Sequence, residues 1–316
     1  MELGRPNLDE FSATLLELAR EDRDLLVLTS DSRGSGKLAP FAEALPAQLI
    51  EVGIAEQNLV GIAAGLAAAG KNVFAVSPAC FLTARALEQI KNDVAYSDRP
   101  VRLIGISAGV SYGALGSTHH SLHDYAALRA INNIDIVAPA DNFETREAIR
   151  AAYRHPRPIY IRFGKKPMPH LHAPDTTFTV GRAITLRQGA DVTFIATGET
   201  VAPAVQACDV LAQQGISAGV ISMHTIKPLD EEALLNAAHN SRALITVEEH
   251  SVYGGLGEAC AATLMQRGVY KPLKIVGLPD EYTVTGSQVE IFAHYGITPE
   301  GLAATAQQLL AVEIAP

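Results

Sequence analysis

Short apolar runs that have the character of buried strands alternate along this chain with segments of helical apolar spacing. In the first half, the strand-like runs are residues 25–28, 73–76, 101–106, 134–137 and 158–161. Helical spacing marks residues 11–20, 56–69, 84–94 and 143–153. This alternation is typical of a mostly parallel sheet that is covered by helices. The first half is therefore predicted to form one α/β domain.

The alternation stops at a proline-rich segment and then resumes. Residues 165–174 contain three prolines, which is typical of an interdomain linker. A second series of strand-like runs follows at residues 192–196, 218–221, 243–247 and 273–276. We predict two α/β domains, each a mostly parallel sheet flanked by helices. Their predicted bounds are residues 1–166 and 179–316, with a linker at residues 167–178.

Composition narrows the class of protein. The chain has 316 residues and a formal net charge of −9, which disfavours a nucleic-acid-binding surface. Cys80, Cys208 and Cys260 form no Cys-x-x-Cys pair, which favours reduced thiols. The N-terminus lacks the apolar segment of a signal peptide. The longest apolar run, residues 59–69, is shorter than the roughly 20 residues of a membrane span. We expect a cytoplasmic protein that binds neither membrane nor nucleic acid.

One acidic turn leads directly into a helix of small residues. Residues 51–58 read Glu-Val-Gly-Ile-Ala-Glu-Gln-Asn, and Glu56 opens the helix, where unpaired N–H groups favour a carboxylate. Gly61 and Gly65 leave a helix face that another backbone could approach closely. A carboxyl group in such a packed place tends to keep its proton and can donate a hydrogen bond. A simple helix-start charge is the alternative interpretation of Glu56.

That turn resembles the segment with which transketolases and 1-deoxyxylulose-5-phosphate synthases hold thiamine diphosphate. Four more blocks follow in the family's order: Phe-Leu-Thr-Ala-Arg-Ala-Leu-Glu-Gln-Ile at 81–90, Gly-Ser-Thr-His at 116–119, Ile-Arg-Phe-Gly-Lys at 161–165 and Val-Glu-Glu-His-Ser-Val-Tyr-Gly-Gly-Leu-Gly at 247–257. Together they cover most of the chain. It is identified as a member of the transketolase family, with the pyrimidine-binding and C-terminal domains.

The Gly-Asp-Gly motif through which these enzymes bind the diphosphate and magnesium does not occur in the sequence. The resemblance therefore implies one half of a split transketolase that transfers a two-carbon ketol unit. It implies thiamine diphosphate as cofactor, Mg²⁺ ligands on a diphosphate-binding partner subunit, and a heterotetramer with two copies of each chain. The beta subunit of a 2-oxo acid dehydrogenase, an enzyme similar to 1-deoxyxylulose-5-phosphate synthase and a non-catalytic assembly subunit are the alternatives.

The resemblance assigns roles at matching positions. Glu56 would hydrogen-bond N1′ of the cofactor's aminopyrimidine and act as the catalytic carboxylate. Asp31 would lie beside the cofactor, with a loop turn as the alternative. We assign to Phe81 the aromatic stacking on the aminopyrimidine; Ala79 is the alternative alignment, and a core phenylalanine the alternative role. His119 matches the substrate-facing histidine and would polarise a hydroxyl or carry a proton.

The charged end of the substrate is assigned in the same way. Arg162 and Lys165 follow a strand, where parallel sheets usually bind ligands, and are predicted to contact an anion. Ser35 would add a hydroxyl contact. Leu115 replaces a family aspartate that selects hydroxyl stereochemistry, and Leu8 replaces an arginine that holds phosphate. We therefore predict an anionic sugar unlike ordinary pentose phosphates, with a phosphate or another tetrahedral anion such as a sulfonate.

Three motifs indicate other chemistry. His119 and His123 are four residues apart in the run His-His-Ser-Leu-His-Asp at 119–124, as in a metal pair, but the carboxylate and open geometry of a metal site are not evident, so we predict no metal ligands in this chain. Gly105-Ile-Ser-Ala-Gly109 fits the nucleophile elbow of an α/β hydrolase around Ser107, yet a glycine-rich loop follows where that elbow needs a helix. The Gly-Leu-Gly at 255–257 is a weak dinucleotide signal.

Overall fold

The computed structural model describes residues 1–311, and every strand-like run marked in the sequence forms a strand there. The strands are β1 (Leu3–Pro6), β2 (Leu25–Thr29), β3 (Leu49–Glu51), β4 (Asn72–Pro78), β5 (Val101–Ile106), β6 (Asp135–Val137), β7 (Ile159–Arg162), β8 (Pro167–Pro169), β9 (Ile184–Arg187), β10 (Val192–Ala196), β11 (Ala218–Ser222), β12 (Thr225–Lys227), β13 (Ala243–Ser251) and β14 (Leu273–Leu278). The sequence did not predict β1, β3, β8, β9 and β12, which are short and lie at sheet edges.

Helices separate most of these strands. They are α1 (Asn7–Glu21), α2 (Ala39–Ala44), α3 (Glu56–Ala68), α4 (Ala79–Arg85), α5 (Leu87–Gln89), α6 (Asp124–Arg129), α7 (Asn142–Arg154), α8 (Val201–Ala212), α9 (Glu231–Asn240), α10 (Leu256–Gln266), α11 (Gln288–His294) and α12 (Pro299–Ala311). Residues 84–94 do not form the single predicted helix, because Ala86 has a φ of −102° and a ψ of 20°, and a π-helical segment follows at Ile90–Tyr96. Within residues 1–311, every helix is too short or too polar to cross a bilayer.

Two larger sheets organise the chain. The first has the strand order β12-β6-β7-β5-β4-β2-β3, with only β12 antiparallel to its neighbour among these described strands. The second has the order β14-β13-β10-β11-β9, with β9 antiparallel. The carboxyl ends of parallel strands meet at one edge of a sheet. The loops after β2, β5 and β7 therefore converge.

Both faces of the first sheet are buried. Val73 of β4 packs in one core cluster with Leu59 of α3, whereas Phe74 packs in another with Phe11 of α1. Successive side chains of a strand point to opposite faces, which explains this division. Full burial of such a side chain contributes roughly 1.5–3 kcal/mol. The second sheet is buried in the same two-sided way.

The proline-rich segment is docked on the first half of the chain. Its strand β8 pairs antiparallel with β1. His172 lies between two acidic side chains at the start of α7, with Nδ1 2.9 Å from Asp141 Oδ2 and Nε2 3.0 Å from Glu144 Oε1. From the second half, β12 joins the first sheet beside β6. The predicted domain bounds stay a prediction, and residues 312–316 of the second domain lie outside the described residues.

Candidate active site

The turn before α3 is fixed by Glu51 at the end of β3. Glu51 Oε1 accepts hydrogen bonds from the backbone N–H groups of Asp31, at 2.6 Å, and Gly53, at 2.9 Å. Asp31 is exposed and has a left-handed backbone with a φ of 51°, which aspartate tolerates better than most residues. The loop after β2 is therefore held beside the start of α3. A cofactor contact by Asp31 stays a prediction.

Glu56 is the first residue of α3, and its side chain is only 4% exposed. Arg85 Nη1 lies 3.1 Å from Glu56 Oε1 and 3.0 Å from Oε2, so the carboxylate accepts hydrogen bonds in this arrangement. An open depression of about 780 Å³ is lined by Ile54, Ala55, Glu56, Gln57, Asn58 and Arg85. The predicted role of Glu56 as a donor to the cofactor stays a prediction.

Phe81 and His119 meet at the same edge of the sheet, with ring centroids 5.2 Å apart and planes at 70°. Arg85 lies over the Phe81 ring, its Cζ 4.1 Å from the centroid, and so links that ring to Glu56. Ala79, the alternative stacking position, is fully buried at the start of α4, whereas Phe81 is half-buried. This placement favours Phe81 for an exposed stacking contact.

Tyr112 joins this group to the predicted anion contacts. Its ring centroid lies 5.4 Å from the ring centroid of His119 and 3.8 Å from Lys165 Nζ. Burial, followed by the positive charge of Lys37, lowers the pKa of Lys165. Ser35 is exposed on the same loop as Lys37, and its hydroxyl donates to the Ser32 backbone oxygen at 3.2 Å. Two neighbouring cations and a hydroxyl form a suitable environment for an anion.

Arg162 does not belong to this group, and its predicted contact with a substrate anion is corrected. Its side chain is 5% exposed, and Nη1 lies 2.8 Å and 3.0 Å from the two carboxylate oxygens of Asp124. Nη2 donates to the backbone oxygen of Glu249 at 2.7 Å. The guanidinium also lies over the Tyr125 ring, 4.2 Å from its centroid. These buried partners use the donors that a substrate would need.

The two leucines that depart from the family differ in position. Leu8 is buried in the core of the first sheet, so this position offers no contact to an anion. Leu115 is exposed at the end of the turn Gly113–Leu115 and offers no hydroxyl acceptor. Among the predicted anion contacts, Lys165 and Ser35 therefore remain.

Among the described residues, the hydrolase elbow and the histidine pair form no catalytic arrangement. Ser107 is fully buried, has a φ of 54° and continues into a loop, whereas a nucleophile elbow continues into a helix. His123 Nε2 lies 3.3 Å from Thr83 Oγ1. Across residues 1–311, no three or more His, Cys, Asp or Glu side chains are grouped in a way that could hold a metal ion.

Sequence reasoning missed Arg85, Tyr112 and Glu249 as contributors to this region. Arg85 follows Phe81 by four residues on α4, so helical spacing could have predicted their contact. Glu249 had no such local signal, because its partner Val110 is 139 residues away along the chain; the Val110 N–H donates to Glu249 Oε1 at 2.8 Å. Such a contact is decided by tertiary structure.

Comparison with known proteins defines the class. The family model for the transketolase pyrimidine binding domain matches residues 8–169, and the model for the transketolase C-terminal domain matches residues 181–302. The chain therefore belongs to the transketolase family, as its sequence motifs predicted. Its two α/β domains are the domains of that family, and membership implies dependence on thiamine diphosphate.

Individual relatives match almost the whole chain. An apulose-4-phosphate transketolase subunit from Phocaeicola vulgatus is 50% identical over 95% of this chain and 96% of that protein. A protein of the same name from Actinobacillus succinogenes is 40% identical over 88% of this chain and 90% of that protein. A solved structure described as a split gene transketolase, inactive beta4 tetramer, has 35% identity and a TM-score of 0.89, covering 98% of this chain and 100% of that one. The predicted transketolase-type transferase is confirmed at the level of the family.

Proposed function

We propose that this chain is the pyrimidine-binding subunit of a split transketolase that transfers a two-carbon ketol unit between anionic sugars. The observation that carries the proposal is the chain of contacts Glu56–Arg85–Phe81–His119–Tyr112–Lys165 along one edge of the first sheet. The sequence contains no Gly-Asp-Gly motif. The near-complete coverage of relatives that are themselves named as single subunits of a transketolase further supports a split enzyme.

The residues present fit the pyrimidine end of thiamine diphosphate. Glu56 is a buried carboxylate that faces an open depression, and the half-buried Phe81 ring lies nearby. When bound, the cofactor supplies the electron sink for the two-carbon fragment. Glu56 would hold a proton against N1′ of the aminopyrimidine, Phe81 would stack on that ring, and Asp31 would lie beside it.

The substrate side uses the other end of the same group. His119 would hydrogen-bond a substrate hydroxyl, while Lys165 and Ser35 would bind its tetrahedral anion. The names of two relatives as apulose-4-phosphate transketolase subunits support a ketose phosphate as donor. A ketose sulfonate offers the same anion geometry and is the natural comparison in an assay.

A partner subunit would supply the diphosphate and Mg²⁺ ligands, in a heterotetramer with two copies of each chain. The small-residue face of α3 supports this assembly. A Cβ added to Gly61 or Gly65 would meet no atom of the described residues within 4 Å, so this chain leaves the face open. Another backbone could approach it closely.

We place the division between the two domains at residues 167–178, as the proline-rich segment predicts. We also place the protein in the cytoplasm. Cys80, Cys208 and Cys260 are all free and buried, which fits a reducing compartment.

Reconstitution tests the proposed function. The chain, combined with a partner that carries Gly-Asp-Gly, thiamine diphosphate and Mg²⁺, should transfer a ketol unit from apulose 4-phosphate to an aldose phosphate. Release of CO₂ from pyruvate with an aldose phosphate as acceptor would instead indicate the synthase-like alternative. Acyl transfer from a 2-oxo acid to lipoamide would indicate the dehydrogenase subunit. A fully assembled complex with no turnover of any kind would overturn the proposal in favour of an assembly role.

A further inference from the structure

Two buried carboxylates from the second half of the chain lie behind the substrate side of the site. Glu199 follows β10 in the turn Gly198–Thr200, and Glu249 lies on β13. Gln288, the first residue of α11, bridges them: its Nε2 donates to Glu199 Oε2 at 2.8 Å and to Glu249 Oε1 at 2.8 Å. All three residues are buried: Glu199 is 8% exposed, and Glu249 and Gln288 are each 4% exposed. The proposed ketol transfer gives none of them a direct role.

Glu249 supports the loop that carries Tyr112. The Val110 N–H donates to Glu249 Oε1 at 2.8 Å. A Cβ on Gly109 would overlap the Glu249 carboxyl group, and Gly109 has a φ of +60°. A side chain there would be both strained and obstructed. The loop therefore contacts the Glu249 carboxyl group directly at Gly109 and Val110. Tyr112, whose ring contacts Lys165 and His119, follows Val110 by two residues.

Glu199 supports the strand end that carries Lys165. A Cβ on Gly164 would overlap the Glu199 carboxyl group, and the Gly164 backbone N–H faces it. Gly164 directly precedes Lys165 in the sequence. The two backbone segments of the anion site thus each rest on one carboxyl group, and Gln288 ties these groups together.

The charges around Glu199 and Glu249 favour a state in which one of the two carboxyl groups stays protonated. Two carboxylates so close together in a buried place cannot both ionise at low cost. Arg162 and Lys166 are the cations that face them, and the Arg162 guanidinium is already paired with Asp124. Burial, followed by the charge of Glu199, raises the pKa of Glu249 to about 8.

We propose that the Glu199–Gln288–Glu249 bridge is a positioning device for the substrate anion. It sets the distance between the Tyr112 loop and the Lys165 strand end, so that these two segments meet the charged end of the substrate together. The inference rests on the proposed ketol transfer, and it gives the C-terminal domain a part in substrate selection.

Replacing Gln288 by methionine tests this device, because methionine keeps the length of the side chain and removes the amide. In the assembled holoenzyme, Gln288→Met should raise KM for an anionic ketose donor about tenfold and leave KM for an unphosphorylated ketose within about twofold, since small misplacements of binding groups are costly. Gln308→Met is the matched control, because Gln308 is exposed on α12. Amide hydrogen exchange at Val110 in the free chain should be faster in Gln288→Met only.

Glu249→Gln gives a second readout, should the methionine variant fold poorly. In the wild type, KM for the anionic donor should rise as pH increases through about 8, because the second carboxyl group then ionises and strains the bridge. Glu249→Gln cannot ionise, so its KM should lose that rise. Equal KM changes for charged and unphosphorylated donors, or an alkaline rise that persists in Glu249→Gln, would overturn the positioning role. Failure of the wild-type complex to transfer a ketol unit would instead refute the proposed function.

Discussion

Glu56 is the residue on which the proposed chemistry depends most directly. Glutamine keeps its size and some of its hydrogen bonding but has no acidic proton. Glu56→Gln should therefore slow exchange of the C2 proton of bound thiamine diphosphate by about 10²–10⁴-fold, the usual contribution of general acid–base catalysis. Deuterium exchange in the assembled complex, followed by NMR, measures this rate.

The control for that experiment is Glu88→Gln, which changes an exposed glutamate beyond α4. It should exchange at the wild-type rate. Cofactor occupancy should persist in both variants, because neither removes a proposed diphosphate ligand. An unchanged exchange rate in Glu56→Gln would leave Glu56 as a helix-start charge that is paired with Arg85.

Lys165 is the cation proposed to bind the charged end of the substrate. Loss of a charge-assisted contact costs about 1.5–3 kcal/mol, or one to two orders of magnitude in affinity. Lys165→Ala should raise KM by about that factor for a phosphorylated ketose donor, with little change for an unphosphorylated ketose in steady-state assays. Lys274→Ala, an exposed lysine on β14, is the matched control. Equal losses for both donors would make Lys165 structural and place the anion site on the partner.

At the level of elements, His172 ties the proline-rich segment to the start of α7. The bonds to Asp141 and Glu144 outweigh burial and raise the pKa of His172 to about 9. A histidine whose pKa is raised on folding stabilises the protein fully below about pH 6.5, and this contribution is lost as pH rises through about 9. A shift of this size corresponds to a stabilisation on the order of 3–4 kcal/mol.

Urea unfolding of wild type and His172→Gln at pH 6 and pH 10 measures this contribution. The difference in free energy of unfolding between the two proteins should be large at pH 6 and small at pH 10. His170→Gln is the control, because His170 is exposed in the same segment. A difference that does not depend on pH would show that His172 acts through packing and not through its charge.

At the level of the whole molecule, the candidate site is open, and this chain provides only the proposed contacts to the aminopyrimidine and to the substrate. The chain alone should therefore bind thiamine diphosphate weakly and show no turnover, because the diphosphate and Mg²⁺ ligands would lie on the partner. Calorimetric titration of the purified chain with cofactor and Mg²⁺ tests this expectation. Micromolar affinity without a partner would mean that this chain holds the diphosphate itself.

The sequence by itself determined the alternation of elements and the place of Glu56. Both depend on local properties: apolar periodicity predicts strands and helices, and a carboxylate after a glycine turn predicts a helix start. The place of Lys165 shortly after a strand was also predictable, because an apolar run ends a few residues before it; its contact with an anion stays a prediction. The short strands β1 and β8 were not, because their prolines and small size give little periodic signal.

Only the tertiary structure decided which charged side chains are buried and paired and which stay exposed. Arg162 ends β7 and Lys165 lies just beyond it, so the two look equivalent in the sequence. Asp124 and the Glu249 backbone nevertheless accept hydrogen bonds from Arg162, whereas Lys165 stays exposed beside Tyr112. The Glu199–Gln288–Glu249 bridge likewise joins residues that are far apart in the sequence. Burial and long-range pairing depend on how the two sheets pack together, and no local pattern of residues encodes them.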